Sequence, residues 1–188
     1  MRLVVAVTGA TGSVYAVRLL QALQATETEV HLILSMWAKE TLRLETSYTE
    51  ADLHALAARS YEASDLAAPL SSGSYLHQGM VVIPCSMKTM AAIAHGYDDN
   101  LIARAADVTI KEGRSLIVVP RETPINASHL ENMQALSRMG VVIMPPMPAF
   151  YSHPRTIDDL INQFIGRVLD RLGVQHDLAE RWGGRPEG

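Results

Sequence analysis

Five short and almost continuously apolar runs, separated by stretches with helical spacing, constrain this chain more than any other feature. They cover residues 3–7, 30–34, 80–83, 116–119 and 141–144, and Val, Ile and Leu dominate them. A strand that reads as one apolar run, without a polar residue at every second place, is buried on both faces. That is the pattern of a parallel sheet with helices packed on each side. The sequence therefore predicts a three-layer α/β fold around a mostly parallel central sheet. A length of 188 residues suits a single core, so one domain spanning 1–188 is expected.

Ligands of such sheets bind beyond the carboxyl ends of the strands. The segments that follow the runs are thus the places to look. They read Thr8-Gly9-Ala10-Thr11-Gly12, Ser35-Met36-Trp37, Pro84-Cys85-Ser86-Met87-Lys88-Thr89, Pro120-Arg121-Glu122-Thr123-Pro124, and Pro145-Pro146-Met147-Pro148-Ala149-Phe150-Tyr151. Glycine, proline, hydroxyls and charge dominate them, as a shared rim of ligand loops requires. The last helix is the clearest: Ile157, Leu160, Ile161, Phe164, Ile165, Val168, Leu169 and Leu172 recur at three- and four-residue spacing. At about 100° per residue, Arg167 falls roughly 20° from Leu160, at the edge of that stripe. Residues 71–74 read as a small polar loop, and 172–188 as a partly flexible C-terminal tail that frays from 181 onward.

Composition removes several classes. With 48% apolar and 19% charged residues the chain is globular rather than disordered. A net charge of -4 with no basic run argues against nucleic acid. A single cysteine excludes an internal disulfide and Cys-based zinc sites, and the seven histidines lack ligand spacing, so no metal is expected. The opening run is too short for a signal peptide or a membrane span. A soluble cytoplasmic protein is expected.

Each motif has a chemical reading beside a plain one. TGATG follows a strand and opens a helix, where free N–H groups attract an anion. It lacks the third glycine of a dinucleotide fingerprint, and the second run ends in Ser35 rather than an acid, which favours a phosphate or flavin cradle over NAD. In PCSMKT, Cys85 has no histidine placed as a base and reads as a small packed hydrophobe. Ser86 and Thr89 cap the next helix, hold a ligand, or do both. Residues 100–113 read as a helix stopped by Gly113. Arg104 and Lys111 are seven apart on one face, fit to bind a phosphate or to sit on a solvated surface with an Asp107–Lys111 pair. Arg121-Glu122 is either a charge and an acid/base beside a ligand or a structural ion pair. Glu45 ends an apolar helical stretch, where an exposed glutamate is the default.

Taken in order, these blocks resemble the UbiX-like flavin prenyltransferases, including members once named after phenolic acid decarboxylase. The blocks are TGATG (8–12), HLILS (31–35), LET (44–46), SSGS (71–74), PCSMKT (84–89), NLIARAADVTIKEGR (100–114), VVPRETP (118–124), HLENM (129–133) and PPMPAFY (145–151). The resemblance covers nearly the whole chain. It implies a flavodoxin/Rossmann-like fold in a homododecamer with sites at subunit contacts. It implies a metal-independent transferase that joins the dimethylallyl group of dimethylallyl phosphate to N5 and then C6 of reduced FMN. The product, prenylated FMN, would serve a UbiD-type decarboxylase.

The resemblance also assigns residues. Gly9, Ala10, Thr11, Ser35, Ser86, Met87, Lys88, Thr89 and Arg121 match the FMN contacts. Tyr151 and Arg167 match the dimethylallyl phosphate contacts, with Arg104 and Lys111 adding charge from a neighbouring subunit. Glu45, Glu122, Thr11 and Lys111 form the implied catalytic set, and Trp37, Met87 and Tyr151 an apolar lining. Thr11 stands where many relatives have Ser. The hydroxyl is kept, while the methyl restricts its rotamer and bears on rate. Two rival readings remain. A flavin-dependent cysteine decarboxylase would need His54 as its base. A non-catalytic flavin carrier has no use for the second phosphate site.

Overall fold

The computed structural model describes residues 1–179. In chain order the elements are β1 (Arg2–Val7), α1 (Ser13–Gln24), β2 (Glu29–Leu34), α2 (Met36–Glu45), α3 (Glu50–Ala55), β3 (Arg59–Glu62), β4 (Gly79–Cys85), α4 (Met87–Ala94), α5 (Leu101–Lys111), β5 (Ser115–Pro120), α6 (Ala127–Arg138), β6 (Val142–Ile143) and α7 (Ile157–Leu172). A short 3-10 turn, Pro69–Ser71, precedes β4. The chain divides into two compact units, Met1–Pro145 and a second that begins at Pro146.

The first unit holds a six-stranded sheet in the order β3-β2-β1-β4-β5-β6, and every pairing is parallel. The five strands legible as apolar runs stand in the flavodoxin order, in which the second strand lies outside the first. The sixth, β3, extends that order at one edge. It reads Arg-Ser-Tyr-Glu, with its end residues exposed, so no apolar run betrays it. β6 is shorter than the run at 141–144 suggested, and β4 is longer: Pro84 and Cys85 still belong to the strand, and the turn begins at Ser86.

Alternation along the strands builds the layers. Val4, Ala6, Met80, Val82, Leu116 and Val118 form one core with Met90 and Ile93 of α4, Leu101, Ile102, Ala105 and Ala106 of α5, and Leu136 of α6. On the opposite face α1 packs on β2 and β4 and against α2. The strands reverse order between β1 and β4, so the switch point lies between the ends of those two strands.

In the second unit, α7 begins with a capping box between Thr156 and Asp159 and ends at Gly173. Ile161, Phe164, Ile165, Val168 and Leu169 are buried, whereas Ile157, expected in the same stripe, is exposed. Of the expected tail, residues beyond 179 lie outside the described part. Before that point the His176 ring lies against Gly166, where a Cβ would come within 2.8 Å of it, and His176 bonds Asp170 at 3.2 Å. Among the described residues no helix is long and apolar enough to cross a membrane.

Candidate functional site

Backbone hydrogen bonds hold the strand ends in line, so the loops after β1, β2, β4 and β5 leave the sheet on one rim. Ser35 N–H donates to Val7 O at 3.1 Å, Thr8 N–H to Pro84 O at 3.2 Å, and Arg121 N–H to Cys85 O at 3.3 Å. Beside Met36 this rim opens into a cleft of about 490 Å³ bordered by Leu34, Lys39, Glu62 and Asn100.

The loop after β1 is closed by the protein itself. Gly12 caps α1 with φ 107, a left-handed conformation that favours glycine, and it offers no side-chain cap. The carboxylate of Glu45, from the end of α2, takes that place. It accepts from Gly12 N–H at 2.8 Å, from Ser13 N–H at 2.9 Å, and from the Thr11 side chain. Burial pushes this carboxyl up, but the bonds from Thr11, Ser13 and Gly12 outweigh it and hold it below the usual carboxylate range. Glu45 is exposed, as its place at the end of an apolar helical stretch suggests, and its carboxylate is also engaged. The N–H groups that open α1 meet an internal anion, and Glu45 is a helix cap. Gly9 is equally constrained: a Cβ there would collide with Trp37 Cβ and stand 3.1 Å from its carbonyl carbon.

The loop after β4 is built differently. Ser86 caps α4 through its hydroxyl, which accepts from Thr89 N–H at 3.3 Å and donates to Thr89 Oγ1 at 3.1 Å. Helix geometry leaves the N–H groups of Met87 and Lys88 without intrahelical partners. The Lys88 side chain is exposed, 3.8 Å from Asp99. Cys85 is fully buried, and burial pushes its thiol up to about 12, so it is a packed side chain and not a nucleophile. Ser35 repeats the arrangement at α2, its hydroxyl accepting from Ala38 N–H at 3.1 Å.

The charged candidates divide. Arg121 and Glu122 are both exposed at the rim, and Glu122 accepts from Thr123 N–H at 3.0 Å. Arg104 is tied within its own chain: Nε donates to Ser71 O at 3.1 Å, and Nη1 meets Asp98 at 3.2 Å and Asp107 at 3.1 Å. Lys111 pairs with Glu112 at 2.7 Å, so the expected Asp107–Lys111 pair gives way to two others. In the second unit, the Tyr151 hydroxyl accepts from the buried Gln163 amide at 3.0 Å, and Arg167 is exposed on α7. Of the expected apolar lining, Trp37 is 69% exposed, Tyr151 46% exposed, and Met87 packs partly on the core.

Thr8 is not among the residues of TGATG that the sequence assigns, which are Gly9, Ala10, Thr11 and the turn at Gly12. It is 1% exposed; its hydroxyl donates to Pro84 O at 2.9 Å and accepts from Ser86 N–H at 2.7 Å. The available signal was its place as the first polar residue after an apolar run. Among the described residues no group of three or more His, Cys, Asp or Glu is placed to hold a metal ion.

An open parallel sheet, neutral hydroxyl caps at α2 and α4, unpaired first-turn N–H groups and an exposed arginine on one rim define a binder of a phosphate-bearing ring cofactor. This donor set fits FMN: hydroxyls and N–H groups suit its phosphate and ring edge, and β2 is followed by Ser35 rather than by the acid that would hold a second ribose. A family model described as Flavoprotein matches residues 1–169. A probable UbiX-like flavin prenyltransferase of Escherichia coli O157:H7 is 55% identical over all of this chain and 95% of its own length. The crystal structure of a dodecameric FMN-dependent UbiX-like decarboxylase from the same organism superposes with TM-score 0.96, at 56% identity over 98% of this chain and 100% of that one. That of AnUbiX (PadA1) in complex with FMN and dimethylallyl pyrophosphate gives TM-score 0.97 at 48% identity, covering 98% of each chain. The chain belongs to the Flavoprotein family, among its UbiX-like flavin prenyltransferases.

Proposed function

We propose that this chain is a metal-independent flavin prenyltransferase. It joins the dimethylallyl group of dimethylallyl phosphate to N5 and C6 of reduced FMN, and the prenylated FMN serves a UbiD-type decarboxylase. The reading rests on one observation: a rim with an open, neutral α4 N-terminus, on a chain 48% identical to a protein whose structure holds FMN and dimethylallyl pyrophosphate. The reduced flavin supplies the nucleophilic ring positions. Everything else falls to the chain's own residues.

Ser86, Met87, Lys88 and Thr89, with Ser35 and Arg121, hold the flavin, and Gly9, Ala10 and Thr11 bring backbone close to it. Tyr151 and Arg167 grip the dimethylallyl phosphate and stabilise the phosphate as it leaves. Arg104 and Lys111 add charge from a neighbouring subunit of a homododecamer. Their present partners are carboxylates, so a phosphate there competes with Asp98, Asp107 and Glu112. Glu45, hydrogen-bonded to the Thr11 side chain, is the proton acceptor, through Thr11 or directly; the bonds that stabilise its ionised form make it a weak base, so position rather than basicity carries the transfer. Glu122 is the second acid/base. Water exclusion by Trp37 and Met87 protects an allylic cation from hydrolysis. The protein is assigned to the cytoplasm, which its single buried thiol suits.

The test is anaerobic: protein, reduced FMN and dimethylallyl phosphate are mixed, and the extracted flavin is weighed by mass spectrometry. A gain of one five-carbon unit is expected. Unmodified FMN that remains tightly bound would sink the transferase and promote a carrier or a decarboxylase. Arg167→Ala should lose turnover and keep FMN.

A further inference from the structure

We propose that Thr8 is a positioning residue for FMN: its buried hydroxyl fixes the N-terminus of α4 against the loop of Gly9, Ala10 and Thr11, so that both reach the cofactor together. The proposal rests on the FMN reading above and adds a residue to it.

The sheet has a gap beside this residue. The β1–β4 ladder runs in register from Leu3↔Gly79 to Ala6↔Val82 and ends there. Two residues further on, β4 carries Pro84, which has no N–H to give. Thr8 closes the gap from the other strand. Its backbone N–H and its hydroxyl both donate to Pro84 O, at 3.2 and 2.9 Å. The same oxygen, Oγ1, then accepts from Ser86 N–H at 2.7 Å. At 1% exposure, water cannot take over these bonds.

Both loops of the switch point therefore meet at one residue, the α4 loop through its side chain and the β1 loop through its backbone. Upstream, Thr8 O accepts from Ala10 N–H at 2.9 Å and shapes the turn into Gly9 and Thr11. Downstream, Ser86 is the cap whose hydroxyl orients Thr89. Valine at position 8 has the shape of threonine but neither donates nor accepts. It would strand the Ser86 N–H, and the α4 terminus would move to find another acceptor.

The experiment measures FMN affinity by quenching of flavin fluorescence in the wild type, Thr8→Val and Thr8→Ser, with melting temperature and Ser86 amide exchange beside it. Thr8→Val is expected to weaken FMN binding at least about tenfold. Its KM for dimethylallyl phosphate at saturating FMN should stay unchanged. Thr8→Ser, which keeps the hydroxyl, should return affinity to within about threefold of the wild type. Equal affinity of Thr8→Val and wild type overturns the proposal. So does Thr8→Ser as weak as Thr8→Val, because the methyl would then matter and not the hydroxyl. If Thr8→Val does not fold, the other two decide. Slow Ser86 amide exchange with retained Thr8→Ser affinity supports the proposal, and fast exchange in the wild type overturns it. A wild type that does not bind FMN overturns the functional reading as well, an outcome separate from all the others.

Discussion

The loops after β1 and β4 are written alike and finished differently. Each follows a buried strand, opens a helix, and carries hydroxyls where an anion would sit. At α1 the protein supplies the anion: Glu45 reaches across from α2 to meet the Gly12 and Ser13 N–H groups. At α4 the cap is the neutral Ser86, and the charge on the first turn is left for a ligand. One helix end is closed by an internal carboxylate and a tryptophan backbone; the other is held in place and left open. An anion-binding motif in sequence thus does not say whose anion fills it.

The closed loop should break most severely. In Gly9→Ala the new methyl meets Trp37 Cβ and main chain, neither of which is a flexible tip. A loss of about 1–3 kcal/mol is expected, as for other overpacked sites, read from urea unfolding. Trp37→Ala in the same chain retains the Cβ and should not restore stability. Trp37→Gly should restore much of it. Rescue by the alanine would mean that the indole ring, rather than the backbone approach, fixes Gly9.

The open loop should give up less stability and more ligand. Ser86→Ala removes the cap of α4 and is expected to cost about 1 kcal/mol. Under the FMN reading it also weakens flavin binding, whereas Glu45→Gln should leave FMN affinity within about threefold and lower turnover. Equal losses of FMN affinity in the two variants would erase the distinction between the loops. Cys85 beside Ser86 offers a chemical check. With its thiol at about 12 and no exposure, iodoacetamide at pH 8 should leave it unlabelled until the chain unfolds.

What the sequence reveals of this site follows from how local each feature is. The apolar runs announce the buried strands because both of their faces are covered, and β3 stays hidden because an edge strand needs no such run. Capping by Ser86 is legible because a cap bonds within its own first turn, and Ser35 repeats it at α2. The Glu45 cap is not, since its partners lie 32 and 33 positions away and only the packing of α2 on α1 brings them together. Thr8 is invisible for the same reason, with its partners 76 and 78 positions along. The expected Asp107–Lys111 pair failed where Arg104 and Glu112 offered closer partners.

The smallest expected effect separates the two loops by pH. Glu45 titrates below the usual carboxylate range in the folded chain because Thr11, Ser13 and Gly12 donate to its ionised form. A carboxyl whose folded value is depressed contributes stability that is fully present above its unfolded value, about 4.5, and lost as pH falls through the folded value. Ser86 does not titrate. Protection of the Gly12 and Ser13 amides, corrected for intrinsic exchange, should therefore fall as pH drops below about 4.5, while protection of the Thr89 amide at the other loop stays level. The loss is expected to be modest, a few tenths to about 1 kcal/mol, because an exposed charge at a helix terminus is well screened. In Glu45→Gln the acid-dependent step at Gly12 and Ser13 should vanish. If it persists there, another group holds the α1 terminus, and the contrast between a closed and an open helix end fails at its root.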